Sequence, residues 1–206
     1  MRKFAMCLAA LACGGAAAAP APIRLFDGRT LAGWEQGTAD SFHVENGSIT
    51  GGTIDRVLTK KTFLCTTRDY GDFRLTARFR IDGGQYANTG IQFRTARVDA
   101  GATQVTGYQA DAGYIYWGTL YDEGRRRVTL ANVDQSTIAR HLNDGQWNRY
   151  EIVARGRHIV LTFNGVKTVD YVEPDTSIAQ TGKICLQLHD KVAMTVAFRD
   201  IELTPL

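Results

Sequence analysis

The chain has 206 residues, 44% of them hydrophobic, 10% aromatic and 22% charged, with 21 glycines and 4 prolines. That length fits one domain at roughly 100 to 200 residues each, and the composition excludes a disordered, collagenous or coiled-coil chain. The formal net charge of +3 includes Arg2 and Lys3 of a predicted leader and falls to +1 without them, so bulk charge gives no reason to bind nucleic acid or an anionic membrane.

The leader comes first. Arg2 and Lys3 precede an apolar run from Phe4 to Ala12 and small residues from Ala16 to Ala19, the layout of a secretory signal over residues 1–18. Cleavage is expected after Ala18, because Pro20 hinders a cut one residue later. The run is too short to span a bilayer. A lipoprotein signal with Cys13 acylated is the competing reading, and it fits less well because a bulkier aliphatic residue is expected at Ala10. Both readings place the mature chain outside the cytoplasm, periplasmic or extracellular, and no later segment is long and apolar enough for a membrane helix. An exported chain retains Cys65 and Cys185, for which an oxidising compartment permits a disulfide. Both sit in apolar, strand-like contexts where a free buried cysteine is ordinary, and that is the simpler reading. Their separation of 120 residues shows no zinc-site spacing.

The body reads as strand after strand. Phe42-His43-Val44 and Ser48-Ile49-Thr50 flank Asn46-Gly47, a hairpin signal, since both turn residues tolerate positive φ. Phe73, Leu75, Ala77, Phe79 and Ile81 alternate with Arg74, Thr76, Arg78 and Arg80, the period of two that marks a strand with one buried face. The pattern recurs in Ile91 and Phe93 against Gln92 and Arg94, and in Tyr108, Ala110 and Ala112 against Gln109 and Asp111. Gln135 to Leu142 is a candidate short helix. Strands 150–154, 159–163 and 167–171 follow, the last two joined by Asn164-Gly165. Ile184, Leu186 and Leu188 then alternate with Cys185, Gln187 and His189. Many antiparallel strands with glycine-rich turns and no alternating helices imply an all-β fold, a two-sheet antiparallel sandwich in one domain over residues 22–206.

The polar faces of these strands carry Arg78, Arg80, Gln92, Arg94, Gln109, Asp111, Gln187 and His189. Any one of them alone reads as solvated surface. Together they are rich in groups able to make two directed hydrogen bonds to hydroxyls, where an idle face carries Lys, Glu, Thr and Ser. Residues 107–127 set Tyr108, Tyr114, Tyr116, Trp117 and Tyr121 among Asp111, Asp122, Glu123 and three arginines, with Gly113, Gly118 and Gly124 breaking the run. Aromatic faces cover the apolar side of a sugar ring while carboxylates and guanidinium bind its hydroxyls, so a loop framing a carbohydrate cleft is expected, with about half of these aromatics in the core. Nucleophile-elbow, phosphate-loop, dinucleotide-binding and His-x-x-x-His motifs are all missing. His43, His141 and His158 fall in hairpin or loop settings, whereas His189 ends a strand on the polar face beside Gln187.

These residues resemble the 3-keto-disaccharide hydrolase domain family. The resemblance runs from Leu25-Phe26-Asp27-Gly28 and Gly33-Trp34 through Phe42 to Gly51, Tyr70 to Phe73, Asn88 to Arg94, Gly107 to Asp111, Tyr116 to Glu123, Trp147-Asn148 and Asn164 to Val166, ending at Gly182 to His189. Each phrase alone is weak; their order and spacing together are specific. The resemblance implies a jelly-roll sandwich of the concanavalin A-like lectin and glucanase type. It also implies cleavage of glycosides or disaccharides already oxidised at C3, by C2 proton abstraction, β-elimination and hydration. On that implication His189 serves as base or metal ligand and Asp111 or Glu123 as proton shuttle or metal ligand. Arg94 then donates to the enolate or a hydroxyl, while Gln92, Gln109, Gln187, Tyr116, Trp117 and Tyr121 position the sugar. A divalent metal is compatible with this set and is not required by it. Other branches carry an acid where this chain has Gln109 and Leu188, and Gly is common where it has Asp190. A noncatalytic carbohydrate-binding module on the same fold is the alternative.

Overall fold

The computed structural model describes residues 20–37, 41–99 and 103–206. The predicted leader, Cys7 and Cys13 lie outside the described residues. In chain order the elements are β1 (Ile23–Arg24), β2 (Trp34–Gln36), β3 (Phe42–Glu45), β4 (Ser48–Thr53), β5 (Thr62–Thr66), β6 (Phe73–Gly83), β7 (Asn88–Arg97) and β8 (Val105–Gly113). There follow β9 (Leu120–Glu123), β10 (Thr129–Ala131), α1 (Gln135–Ala139), β11 (Asn148–Arg155), β12 (His158–Phe163), β13 (Val166–Val172), β14 (Lys183–Leu188) and β15 (Met194–Pro205).

Two antiparallel sheets form the expected sandwich. The first runs β13-β12-β11-β6-β15-β4-β3, with β1 also paired to β15; the second runs β10-β9-β8-β7-β14-β5-β2. The period-two strands explain the packing. Phe73, Leu75, Ala77 and Phe79 of β6 are buried, as are Ile91 and Phe93 of β7, Tyr108, Ala110 and Ala112 of β8, and Ile184, Leu186 and Leu188 of β14. They fill one core between the sheets. Phe79 stands at its centre, stacked on Tyr150 at 5.4 Å between ring centroids and on Trp117 at 6.3 Å, with Phe163 and Phe198 tilted against it. Such ring pairs add roughly 0.5–1.5 kcal/mol each beyond the area they bury.

Both Asn-Gly turns take the expected left-handed conformations, Asn46 and Gly47 at φ 47° and 73°, Asn164 and Gly165 at 45° and 87°. The predicted helix is a single turn, capped by the Asp134 side chain accepting from the Ser136 amide. Arg78 and Arg80, grouped by sequence with the other polar-face residues, project from the first sheet instead. There they pair with Asp200 and Asp82, and Arg80 also covers Trp147.

The two cysteines are bonded. In the β14–β5 ladder Cys185 lies directly opposite Cys65, and the pair forms a disulfide sealed with Phe63 and Val105 in a small apolar cluster of its own. The apolar context that favoured free thiols is real, but register decides the outcome, and register across 120 residues is invisible in sequence.

Candidate functional site

Alternation along four neighbouring strands builds the site. While β7, β8 and β14 turn their apolar residues to the core, they turn Asn88, Gln109, Asp111 and Gln187 to the opposite face of the second sheet. On β9, Tyr121 and Glu123 join them there. This face floors a cleft of about 570 Å³, walled by Lys61, Tyr86, Tyr114, Tyr116, Arg127 and His189.

The floor is an amide network. Gln109 Oε1 accepts from Gln92 Nε2 and, at 3.0 Å, from Gln187 Nε2, which also reaches Glu123 Oε2 at 3.4 Å. Two donors on one oxygen fix the Gln109 amide, so its own N–H groups face Asp111. Gly90 stands opposite Asp111 in the ladder; a Cβ there would lie 2.5 Å from Gln109 Cγ, so only glycine leaves room for this arrangement.

Asp111 is 5% exposed. Its Oδ1 accepts from Asn88 Nδ2 at 2.8 Å and from the Ala112 amide at 2.9 Å. Burial drives its pKa up, those neutral donors and Gln109 pull it partly back, and the Glu123 charge raises it again, leaving it at about 7. From the core side, the Tyr150 hydroxyl donates to the Asp111 carbonyl and accepts from the Gly118 amide at 2.9 Å, holding both ends of the loop that carries the tyrosines.

His189 stands at the cleft edge with Nδ1 2.9 Å from the carbonyl of Asp190 and 3.3 Å from its carboxylate. A carbonyl only accepts, so Nδ1 carries a proton, and whenever the ring holds a single proton its lone pair is at Nε2. Across from it, Lys61 Nζ lies 3.3 Å from both Glu123 oxygens. At the outer end Tyr86, Tyr114 and Tyr116 form an exposed rim, with ring centroids 5.1 and 6.0 Å apart. Clustered exposed rings beside a polar floor suit the two sides of a sugar, apolar C–H face and hydroxyl edge.

Of the residues predicted from sequence, His189, Asp111, Glu123, Gln109, Gln187, Tyr116 and Tyr121 meet in this cleft. Gln92 is completely buried and supports Gln109 from beneath. Arg94 and Trp117 are corrections. The β7–β8 register shifts between Phe93 and Ala96, and Arg94 adopts φ 49°, which turns its side chain away from the cleft. The guanidinium is spent on Asp72 at 2.9 Å, Gln180 and the Gly156 carbonyl, tying β6 to the β11–β12 hairpin. Trp117 packs on Phe79 and edge-on to Phe163 as the lid of the core. The residue pattern gave no role to Lys61, Asn88 or Tyr86, and it grouped Arg127 with Arg125 and Arg126, of which only Arg127 lines the cleft. Tyr86 and Lys61 lie just outside strands, where no alternation marks a face, and Asn88 opens β7 where polar and buried coincide.

Among the described residues no three His, Cys, Asp or Glu side chains converge in a geometry suited to a metal ion. Glu123 is engaged by Lys61, and the donors on Asp111 are amides rather than further ligands. The residues present therefore do not fit a divalent ion, and no step is routed through one.

A family model, described as the 3-keto-alpha-glucoside-1,2-lyase-like domain, matches residues 21–204. Among curated proteins there is no match. Among solved structures, a candidate glycosyl hydrolase from Parabacteroides distasonis superposes with a TM-score of 0.66 at 19% identity, covering 90% of this chain and 94% of its own. The carbohydrate-binding module CBM66 from Bacillus subtilis gives 0.61 at 15%, covering 84% and 95%. A galectin-like protein of unknown function from the same species gives 0.60 at 12%, covering 83% and 87%. At these identities the likenesses establish the sandwich fold.

Proposed function

The chain belongs to the 3-keto-alpha-glucoside-1,2-lyase-like domain family, a carbohydrate-active β-sandwich family, and on that premise we propose that it cleaves 3-keto-glycosides by eliminating across C1–C2 and then hydrating the product. The observation that carries this reading is the meeting, in one cleft, of the His189 imidazole, its Nδ1 against the Asp190 carbonyl, with the Asp111 carboxyl, whose pKa burial pushes up to about 7.

The C3 ketone acidifies the C2 proton. His189 Nε2 takes that proton as the C2–H electrons form the enolate. Asp111 in its protonated form donates a hydrogen bond to the enolate oxygen, a role that needs a carboxyl kept neutral by burial. The enolate collapses, the C1–O bond breaks, and the leaving oxygen takes a proton from the Lys61 ammonium beside it. Water then adds at C1 of the enone, giving up a proton to the neutral Lys61 amine, while the His189 imidazolium returns its proton to C2, so both groups regain their starting forms. Stopping before this step makes the protein a lyase; completing it makes it a hydrolase. The Gln109–Gln187 amides and the tyrosine rim hold the ring, and two anchored components at short range supply much of the rate gain.

Export, through the leader over residues 1–18, belongs to the same proposal. The Cys65–Cys185 disulfide supports it, since such bonds persist in oxidising compartments.

The deciding experiment incubates the protein with 4-nitrophenyl 3-keto-glucoside and with the unoxidised glucoside, with and without a chelator. Release of 4-nitrophenol from the keto substrate only, undiminished by the chelator, is the expected result. His189→Gln should lower it by about 10²- to 10⁴-fold. No release from either substrate alongside measurable sugar binding would convert the reading to a noncatalytic carbohydrate-binding module. Loss of release on chelation would remove His189 as a free base.

A further inference from the structure

The cleft continues beyond Lys61, Glu123 and His189. A second hollow of about 480 Å³ shares Lys61, Tyr121, Glu123, Arg127 and His189 with the first and extends to Lys60, Asp190 and Lys191. The groove therefore has two ends of different chemistry. One is tyrosine-rimmed with an amide floor; the other is lined by charge, with the groups assigned to bond cleavage between them.

The charge of the second end is unbalanced. Lys60, Lys61, Arg127 and Lys191 face Glu123 and Asp190. Glu123 is taken by Lys61 and Asp190 lies against His189. The side chains of Lys60, Arg127 and Lys191 make no hydrogen bond or ion pair among the described residues. In the same arginine run, by contrast, Arg125 and Arg126 are both consumed by Asp122, and Arg126 by Glu173 as well. Arg127 and Lys191 also stand at φ 56° and 63°, in the left-handed region that side chains other than glycine and asparagine occupy at a cost.

We propose that the second hollow is the leaving-group compartment and that it selects glycosides whose leaving group carries an anionic group. The proposal rests on the elimination reading above and names its substrate class. With the keto sugar against the tyrosines, the scissile oxygen falls at the shared residues and the leaving group extends toward Arg127, Lys60 and Lys191. Arg127 offers a carboxylate the paired N–H fork that suits it, and the lysines add point charge.

The test compares kcat/KM for 4-carboxyphenyl 3-keto-glucoside and its neutral near-isostere, 4-carbamoylphenyl 3-keto-glucoside. The carboxylate is expected to be favoured at least tenfold at low ionic strength, with the advantage shrinking as salt is raised. The readout is this ratio, which should fall toward one in the Arg127→Gln, Lys191→Gln double variant, with circular dichroism establishing that the variant is folded. Equal kcat/KM for the two substrates, or a preference that survives in the folded variant, overturns the proposal. If neither substrate is cleaved, the elimination reading fails and calorimetry on the same two compounds decides. Tighter binding of the carboxylate that is lost in the variant upholds the anion compartment, and equal or absent binding overturns it.

Discussion

Two buried clusters in this molecule use the same ingredients to opposite effect. At the end of β13, Glu173 is completely buried and receives both arms of Arg126 at 3.0 and 2.7 Å, the Tyr108 hydroxyl at 2.8 Å, the Tyr171 hydroxyl at 3.2 Å and the Asp175 amide at 3.0 Å. Burial works to raise its pKa, but these donors win and hold it at about 2. Asp111 in the cleft is almost as buried, yet its donors are neutral amides and its nearest charge is another carboxylate, so burial wins and the group sits at about 7. A carboxylate in the frame is matched on every side; one available for proton chemistry is left short. Strand alternation makes the separation, since on β9 Asp122 points inward to Arg125 and Arg126 while its neighbour Glu123 faces the cleft.

Breaking the matched cluster should have the largest effect. Arg126→Gln leaves Glu173 and Asp122 buried without their main partner, and urea unfolding should show a loss of about 3–5 kcal/mol. A loss below about 1 kcal/mol would mean that the network carries no more than surface ion pairs do.

The unmatched cluster should respond in rate rather than stability. Asp111→Asn keeps shape and polarity but removes the proton, so kcat on a 3-keto-glucoside should fall by at least 10² while the protein stays folded. In the parent protein kcat should decline as pH rises through about 7. The sign for stability follows from the same shift. A folded pKa raised from the ordinary 3.8 to about 7 means that the native state holds a proton the unfolded chain has released. Stability from this group therefore declines between about pH 4 and 7, and thermal melts of Asp111→Asn should lack that component. Glu173 runs the other way. Its pKa is depressed from 4.5, so its contribution is present above that value and is lost as pH falls toward 2.

The smallest expected change sharpens the contrast from the floor. Gly90→Ala drives a methyl into Gln109, which should cost about 1–3 kcal/mol by overpacking. Because Gln109 orients toward Asp111, the variant should also raise KM several-fold. A shift in stability without any change in KM would make the amide network scaffolding only.

The fold was legible because its longest strands alternate cleanly, and the cleft face of β8 was read correctly for the same reason: Gln109 and Asp111 fall between residues that must be buried. Arg94 obeyed the same rule on paper and broke it in space, because one bulge reverses a side chain and leaves no mark in the residue pattern. Trp117 was misplaced because a loop has no period at all. Lys61 precedes a strand whose five residues are all buried, so nothing there distinguishes one face from the other. The disulfide depended on which strand pairs with which, the kind of fact that alternation within a strand does not contain.

The position of β15 has a further consequence. This strand, the last among the described residues, lies inside the first sheet, paired to β6 along ten residues from Met194 to Pro205 and to β4 on its other side. Until it arrives, β6 and β4 expose open edges. Ribosomal synthesis delivers those edges well before their partner, so the chain is expected to assemble late and slowly, as contacts between distant segments do.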